Sequence, residues 1–116
     1  MAVAEGKVVK CGYNEIKELT MVAPSAIADG VEFKVPMNAK LEDTVIIANN
    51  TGSSAATVVV KAPTNGGYAS TDEDLSVSVA AGAIAIVRVE SARYFNKDNT
   101  VVVTSSATTT KVALAY

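Results

Sequence analysis

The chain has no histidine and no tryptophan, one cysteine, three prolines, and only four tyrosines and two phenylalanines for its aromatic content. The missing histidine removes the usual general base, the commonest zinc ligand and the side chain that titrates near neutral pH. A single cysteine, Cys11, excludes an internal disulfide and any multi-cysteine metal site; a lone thiol ordinarily packs as a small hydrophobe. Charge is sparse as well: 19% of residues are charged and the formal net charge is -2. Lysines and arginines stand singly, whereas a nucleic-acid binder carries a basic stripe, so no nucleic-acid partner is expected. Nothing approaches the roughly 20 apolar residues of a membrane span. The start, MAVAEGKVVKCGYNEIK, has no basic segment followed by an apolar run, so no signal peptide is expected and synthesis in the cytoplasm is.

The chemistry of sites is thin in the same way. A serine nucleophile needs a base, and without histidine only lysine or a carboxylate remains. There is no nucleophile elbow and no glycine-rich phosphate loop. The densest acidic cluster, Thr71-Asp-Glu-Asp74, offers hard oxygen ligands, but successive acids in an extended segment point to opposite sides and the spacing of a calcium loop is absent. Asn96-Lys-Asp-Asn99 reads as a turn, and the glycosylation sequon at Asn49 has no consequence without secretion. No enzyme activity, cofactor or metal is therefore expected, and no catalytic residue is assigned.

What the chain has is β-branched residues and turns. Its 116 residues, 49% of them hydrophobic, suffice for one domain with one core. The stretch Asp43 to Ala62, DTVIIANNTGSSAATVVVKA, places two β-branched runs around a polar stop with one glycine, which predicts a β-hairpin. Val31, Phe33 and Val35 alternate with Glu32 and Lys34 as in a half-buried strand, and Leu75, Val77 and Val79 alternate with Ser76 and Ser78. Ala80-Ala81-Gly82 predicts the turn of a second hairpin that returns through Val87 and Val89. Ala62 to Asp74 is a long surface loop, Ser91 to Asn96 a short helical turn, and strands at Val101 to Thr104 and Lys111 to Tyr116 close the chain.

The expected fold is all-β: a single antiparallel β-sandwich, Ig-like or jelly-roll-like, of about seven or eight strands over residues 28–116. Residues 1–27 are expected to form an irregular N-terminal arm that anchors on a partner, the rival being an extra strand of the sandwich, and the exposed strand edges and loop 63–74 are expected to contribute contacts with a partner or a neighbouring copy. Asn14 is expected to cap one helical turn through Leu19. The predicted core is Val31, Phe33, Val45, Ile47, Val58, Val60, Leu75, Val77, Val87, Val89 and Val101. Candidate interface residues are Val8, Val9, Tyr13, Arg93, Tyr94 and Tyr116; for Arg93-Tyr-Phe95 the plain alternative is that Phe95 plugs one end and Arg93 is merely exposed.

The order ADGVEFKVP, DTVIIANNTGSSAATVVVKAP, DLSVSVAAGAIAIVRVESARYFNKDNTVVVTSS and KVALAY resembles a group of small tailed-bacteriophage virion proteins, the head decoration and minor structural proteins. The resemblance covers residues 28–116, and Asp98-Asn99 stands where that group more often has Asp-Gly. It implies a β-sandwich on the outer surface of the phage head. The implied partner is the major capsid protein, and the implied role is lattice reinforcement without catalysis, as a trimer in some members and a monomer in others. A module of the tail, baseplate or fibre, or a carbohydrate-binding adhesin domain on the virion, are the alternatives.

Overall fold

A computed structural model describes residues 4–12, 14–24, 30–37, 41, 44–68 and 70–116, with Ser91 and Ala92 as backbone alone. Tyr13, and Met1 and Val3 of the arm, lie outside the described residues. Nine strands and one helical turn follow in order: β1 (Ala4–Glu5), β2 (Val8–Val9), β3 (Val31–Lys34), β4 (Val45–Asn50), β5 (Ala56–Val60), β6 (Leu75–Val79), β7 (Ile84–Val87), α1 (Ser91–Tyr94), β8 (Thr100–Ser105) and β9 (Thr110–Ala115). They form an all-β sandwich of two sheets, β1-β3-β8-β5-β6 and β2-β9-β4-β7, called here the first and second sheet. The seven strands from β3 on pair antiparallel, while β1 joins β3 and β2 joins β9 in parallel, so both sheets are mixed.

The two expected hairpins are not hairpins. β4 pairs with β9 and β7 in one sheet, while β5 pairs with β6 and β8 in the other. The Thr51–Ala55 stop carries the chain across the sandwich, as does the turn after Val79. Of the connections from β3 onward, only β5 to β6 stays within a sheet, and Val22 bridges Val112 antiparallel at the β9 edge. This wiring is jelly-roll-like rather than Ig-like. A polar segment with a glycine turns a chain equally well within a sheet or between sheets; burial of the facing residues decides which.

That burial also corrects one strand face. On β4 the inward residues are Ile46, Ala48 and Asn50, and Val45 and Ile47 point outward, half-buried. The run Val45-Ile-Ile-Ala48 is apolar at both parities, so its pattern does not fix the face; the buried partners Val87, Val112 and Leu114 do. Val31, Phe33, Val58, Val60, Val87 and Val101 are buried as expected, with Leu75, Val77 and Val89 half-buried against them. Asn14 has φ 60 and caps no helix; residues 15–20 are exposed and irregular.

The segment expected as an arm joins the sandwich over residues 4–9. The Ala4 and Gly6 amides donate to Gly30 O and Glu32 O, at 3.1 and 2.7 Å, on the first sheet. On the second sheet, the Tyr116 amide donates to Val9 O at 2.9 Å. The chain thus switches sheets at Gly6-Lys7, and Gly6 passes directly over Phe33. A Cβ there would overlap the Phe33 ring and stand 2.9 Å from Val31 Cγ1. Gly6→Ala is expected to lower unfolding free energy by about 1–3 kcal/mol in a denaturant titration, since overpacking against a buried ring forces the backbone away. An unchanged midpoint would mean that residues 4–9 leave the sandwich in solution.

Asn50 is fully buried where β4 ends. Its Nδ2 donates to Val79 O at 3.0 Å and Ser54 O at 2.8 Å, and its Oδ1 accepts the Gly52 amide at 3.0 Å. Asn50→Ala strands three buried or part-buried backbone groups and opens a small void. The expected cost is about 1–3 kcal/mol, read as a lower melting temperature with an unchanged circular-dichroism spectrum.

Candidate interaction surface

Strand register decides which loops share an end. Lys34 lies opposite Thr100, Val60 opposite Leu75, Ile46 opposite Val87, and Val45 opposite Ala115. The connections 35–44, 61–74 and 88–99 all leave from these strand ends and gather at one end of the sandwich. The shorter connections 51–55, 80–83 and 106–109 close the other.

The three long connections are braced to one another. The Asn65 amide donates to Asn96 Oδ1 at 2.7 Å, the Lys97 amide to Asn65 O at 2.9 Å, and the Thr71 amide to Arg93 O at 3.0 Å. Asn96 Nδ2 reaches Thr100 O and Oγ1 at 3.2 and 3.1 Å, and Asn99 Nδ2 reaches Pro36 O at 3.3 Å. Asn99 has φ 63, the conformation that a glycine would adopt in an Asp-Gly turn. Phe95 is buried beneath this end, the packing that the plain reading of Arg93-Tyr-Phe95 anticipates. The large side chains that stand outward here include Tyr68, fully exposed, Met37 and Arg93, among exposed charged residues such as Asp72, Glu73, Glu90 and Lys97.

Within the acidic cluster Asp74 braces the loop, while Asp72 and Glu73 are exposed. Asp74 Oδ1 accepts the Ala62 amide at 2.7 Å and Oδ2 pairs with Lys61 Nζ at 2.8 Å, closing the base of the 61–74 loop. Thr71 Oγ1 accepts the Glu73 amide at 3.1 Å. Among the described residues, no three histidine, cysteine, aspartate or glutamate side chains converge. An open surface groove of about 250 Å³ runs beside β1, lined by Ala4, Glu5, Gly6, Glu32 and Lys34, where the parallel register sets Glu5 next to Glu32.

The candidate residues named from sequence are placed unevenly. Val8 and Val9 are half-buried on β2, opposite Leu114 and Ala115. Tyr94 and Tyr116 are half-buried and pack against the core, and Tyr116 O accepts the Cys11 amide at 2.7 Å. Tyr13 lies outside the described residues. Arg93 alone of the six has an exposed side chain among those described, and it shares its end of the molecule with Met37 and with Tyr68 of the 63–74 loop. The signal for Tyr68 was its place beside Gly66-Gly67 in the longest polar loop.

The Ala62 amide, first, and the Lys61 ammonium, second, hold the Asp74 carboxyl below its ordinary range. A carboxyl whose folded pKa is depressed stabilises the fold above its unfolded pKa, and that contribution is lost as pH falls through the folded value. The loop base is therefore expected to loosen only in acid, below about pH 4. The Ala62 amide resonance should titrate below the ordinary aspartate range in the wild type and stop titrating in Asp74→Asn. A midpoint at the ordinary value would refute the contact.

No family model, no curated protein and no solved structure matches the chain.

Proposed function

We propose that the chain is a bacteriophage head decoration protein, which seats its long-loop end on the outer surface of the assembled head and stabilises the shell without catalysis. The observation that carries this reading is the cross-braced end, where three connections present Tyr68, Met37 and Arg93 on a platform tied by hydrogen bonds. Tyr, Met and Arg are the residue types enriched at protein interfaces. Bracing holds them in place before contact, so little ordering entropy opposes docking.

Two further features support it. The segment order over residues 28–116 resembles that of tailed-phage decoration proteins, and jelly-roll wiring is common among viral capsid domains. A sandwich that binds only the assembled shell stabilises that shell by linkage, in proportion to how many sites it fills. The exposed stretch 14–20, with Ile16 outward, leaves from the same end through Cys11, and extends the contact.

Purified chain mixed with undecorated heads is expected to co-sediment with them and to raise the temperature at which they rupture. Tyr68→Ala should weaken binding by about tenfold or more while the free protein's melting temperature holds, as for an exposed anchor. Immunogold label on tails alone would overturn the head assignment in favour of a tail or fibre module.

A further inference from the structure

Among the described residues the sandwich has four edge strands, β1, β6, β2 and β7. β1 and β2 are two residues each, too short to template a new strand. β6 and β7 are both without charge or proline, but β6 carries the small polar Ser76 and Ser78 as its exposed side chains. β7, which ends the second sheet, reads Ile-Ala-Ile-Val and leaves two large apolar side chains outward. Ile84 and Ile86 are 66% and 70% exposed.

The register shows which backbone groups of β7 have no strand partner among the described residues. The Asn50 amide donates to Ala83 O at 3.0 Å, and the ladder runs on through Asn49 opposite Ile84, Ala48 opposite Ala85, Ile47 opposite Ile86 and Ile46 opposite Val87. Hydrogen-bonded positions alternate in an antiparallel pair, so Ala83, Ala85 and Val87 face β4. Ile84 and Ile86 turn both N–H and C=O to the open side. The same two residues put their side chains on the outer sheet face, where Ile86 continues across β4 to Ile47 and across β9 to Ala113.

We propose that β7 pairs with β7 of a second copy, antiparallel about a two-fold axis at Ala85, to join two second sheets into one. In this register Ile84 lies opposite the second copy's Ile86, and every open backbone group of both residues finds a partner. The four isoleucines meet on one face, flanked by Ile47 from each side. Ala85 meets Ala85 on the inner face, where small side chains let the strands close. Arg88 falls opposite Gly82, so no like charges are brought together. A strand without charge selects no oppositely charged partner, whereas two open isoleucines spaced by two select their own mirror register. The contact is isologous and closes at two copies.

Its edge is four residues long and buries less than the roughly 1,200 Å² of a stable interface, so the dimer is weak and concentration-dependent. The inference stands on the sheet edge alone and is tested without any head. Sedimentation velocity of the full chain over rising concentration is expected to show a monomer–dimer equilibrium. Ile86→Lys should weaken it by about tenfold or more without changing the melting temperature, because the side chain is exposed. Hydrogen exchange supplies a readout that needs no variant: the Ile84 and Ile86 amides should gain protection as concentration rises, while those of Ala85 and Val87 stay protected throughout. A protein that stays monomeric with both outward amides unprotected, or a dimer that Ile86→Lys leaves intact, would overturn the proposal. Pairing of β7 with a strand of some other protein alone would appear as the first of these outcomes.

Discussion

The buried carboxamide of Asn50 is the contact on which the strand wiring depends. It sits where β4 leaves the second sheet, and its side chain holds the start of the crossing (Gly52), its middle (Ser54) and the end of β6 (Val79). Its backbone carbonyl accepts the Gly82 amide at 2.8 Å, which fixes the turn into β7. Two crossings between the sheets are thus tied through one residue. In a low-dielectric interior each of these bonds is stronger than in water, and any of them left unmade would carry a full desolvation cost. Thr110 lies opposite Asn50 on β9, fully buried, and its hydroxyl has no hydrogen-bond partner among the described residues. Of the buried polar side chains at this end, Asn50, Ser105 and Thr110, it is Asn50 whose bonds tie the two crossings.

This explains which parts of the fold the sequence discloses. Strands are legible wherever one parity is polar: Val31-Glu-Phe-Lys34 and Leu75-Ser-Val-Ser-Val79 have one reading. Their inward residues are buried or packed against the core. Val45-Ile-Ile-Ala48 offers two parities, and the one that is buried continues to a polar residue, Asn50, which a hydrophobic pattern assigns to a turn. The destinations of the turns are hidden for a related reason. Pro, Gly and Asn report that the chain bends, but whether the next strand pairs alongside or crosses about 10 Å to the facing sheet depends on contacts distant in sequence. Of the candidate surface, Arg93 was legible as an unusual cluster of large side chains. The loop that carries Tyr68 was legible as a contact segment, but its meeting with Met37 and Arg93 was not, because only the register brings those loops to the same end.

The two ends of the sandwich differ in the work they leave to the side chains. At the end with short connections, Gly82 at φ 73 and the Asn50 bonds make the turns rigid with little surface to offer. At the other end the connections are long, and long loops are entropically loose unless braced. Here the bracing is local and polar: Asn65 with Asn96, Thr71 with Arg93, Asp74 with Ala62 and Lys61, Asn99 with Pro36. Because those bonds use backbone groups and short amide or carboxylate side chains, the large side chains Tyr68, Met37 and Arg93 are left outward.

The two outer faces complete the asymmetry. On the first sheet the outward residues are Glu32 and Lys34 on β3, Val102 and Thr104 on β8, Thr57 and Val59 on β5, and Ser76 and Ser78 on β6, so that Val102 lies beside Glu32 and Val59 between Thr104 and Ser76. Such a face is stable in water as it stands. On the second sheet the corresponding positions hold Val45 and Ile47 on β4, Ala113 on β9, and Ile84 and Ile86 on β7, with Asn49 and Lys111 as the polar row. Isolated exposed apolar residues need no explanation, but a contiguous row running to an unguarded edge does. Exposure rises along that row, from Ala113 fully buried through Ile47 half-buried to Ile86 at 70%, so the apolar surface left uncovered lies at β7 and not at the centre of the sheet. A partner that covered only the sheet face would leave the outward N–H and C=O groups of Ile84 and Ile86 unpaired. A strand laid along the edge covers the isoleucines and pairs those groups in one contact, which is why the edge, and not the face, is the part of this surface that specifies an occupant.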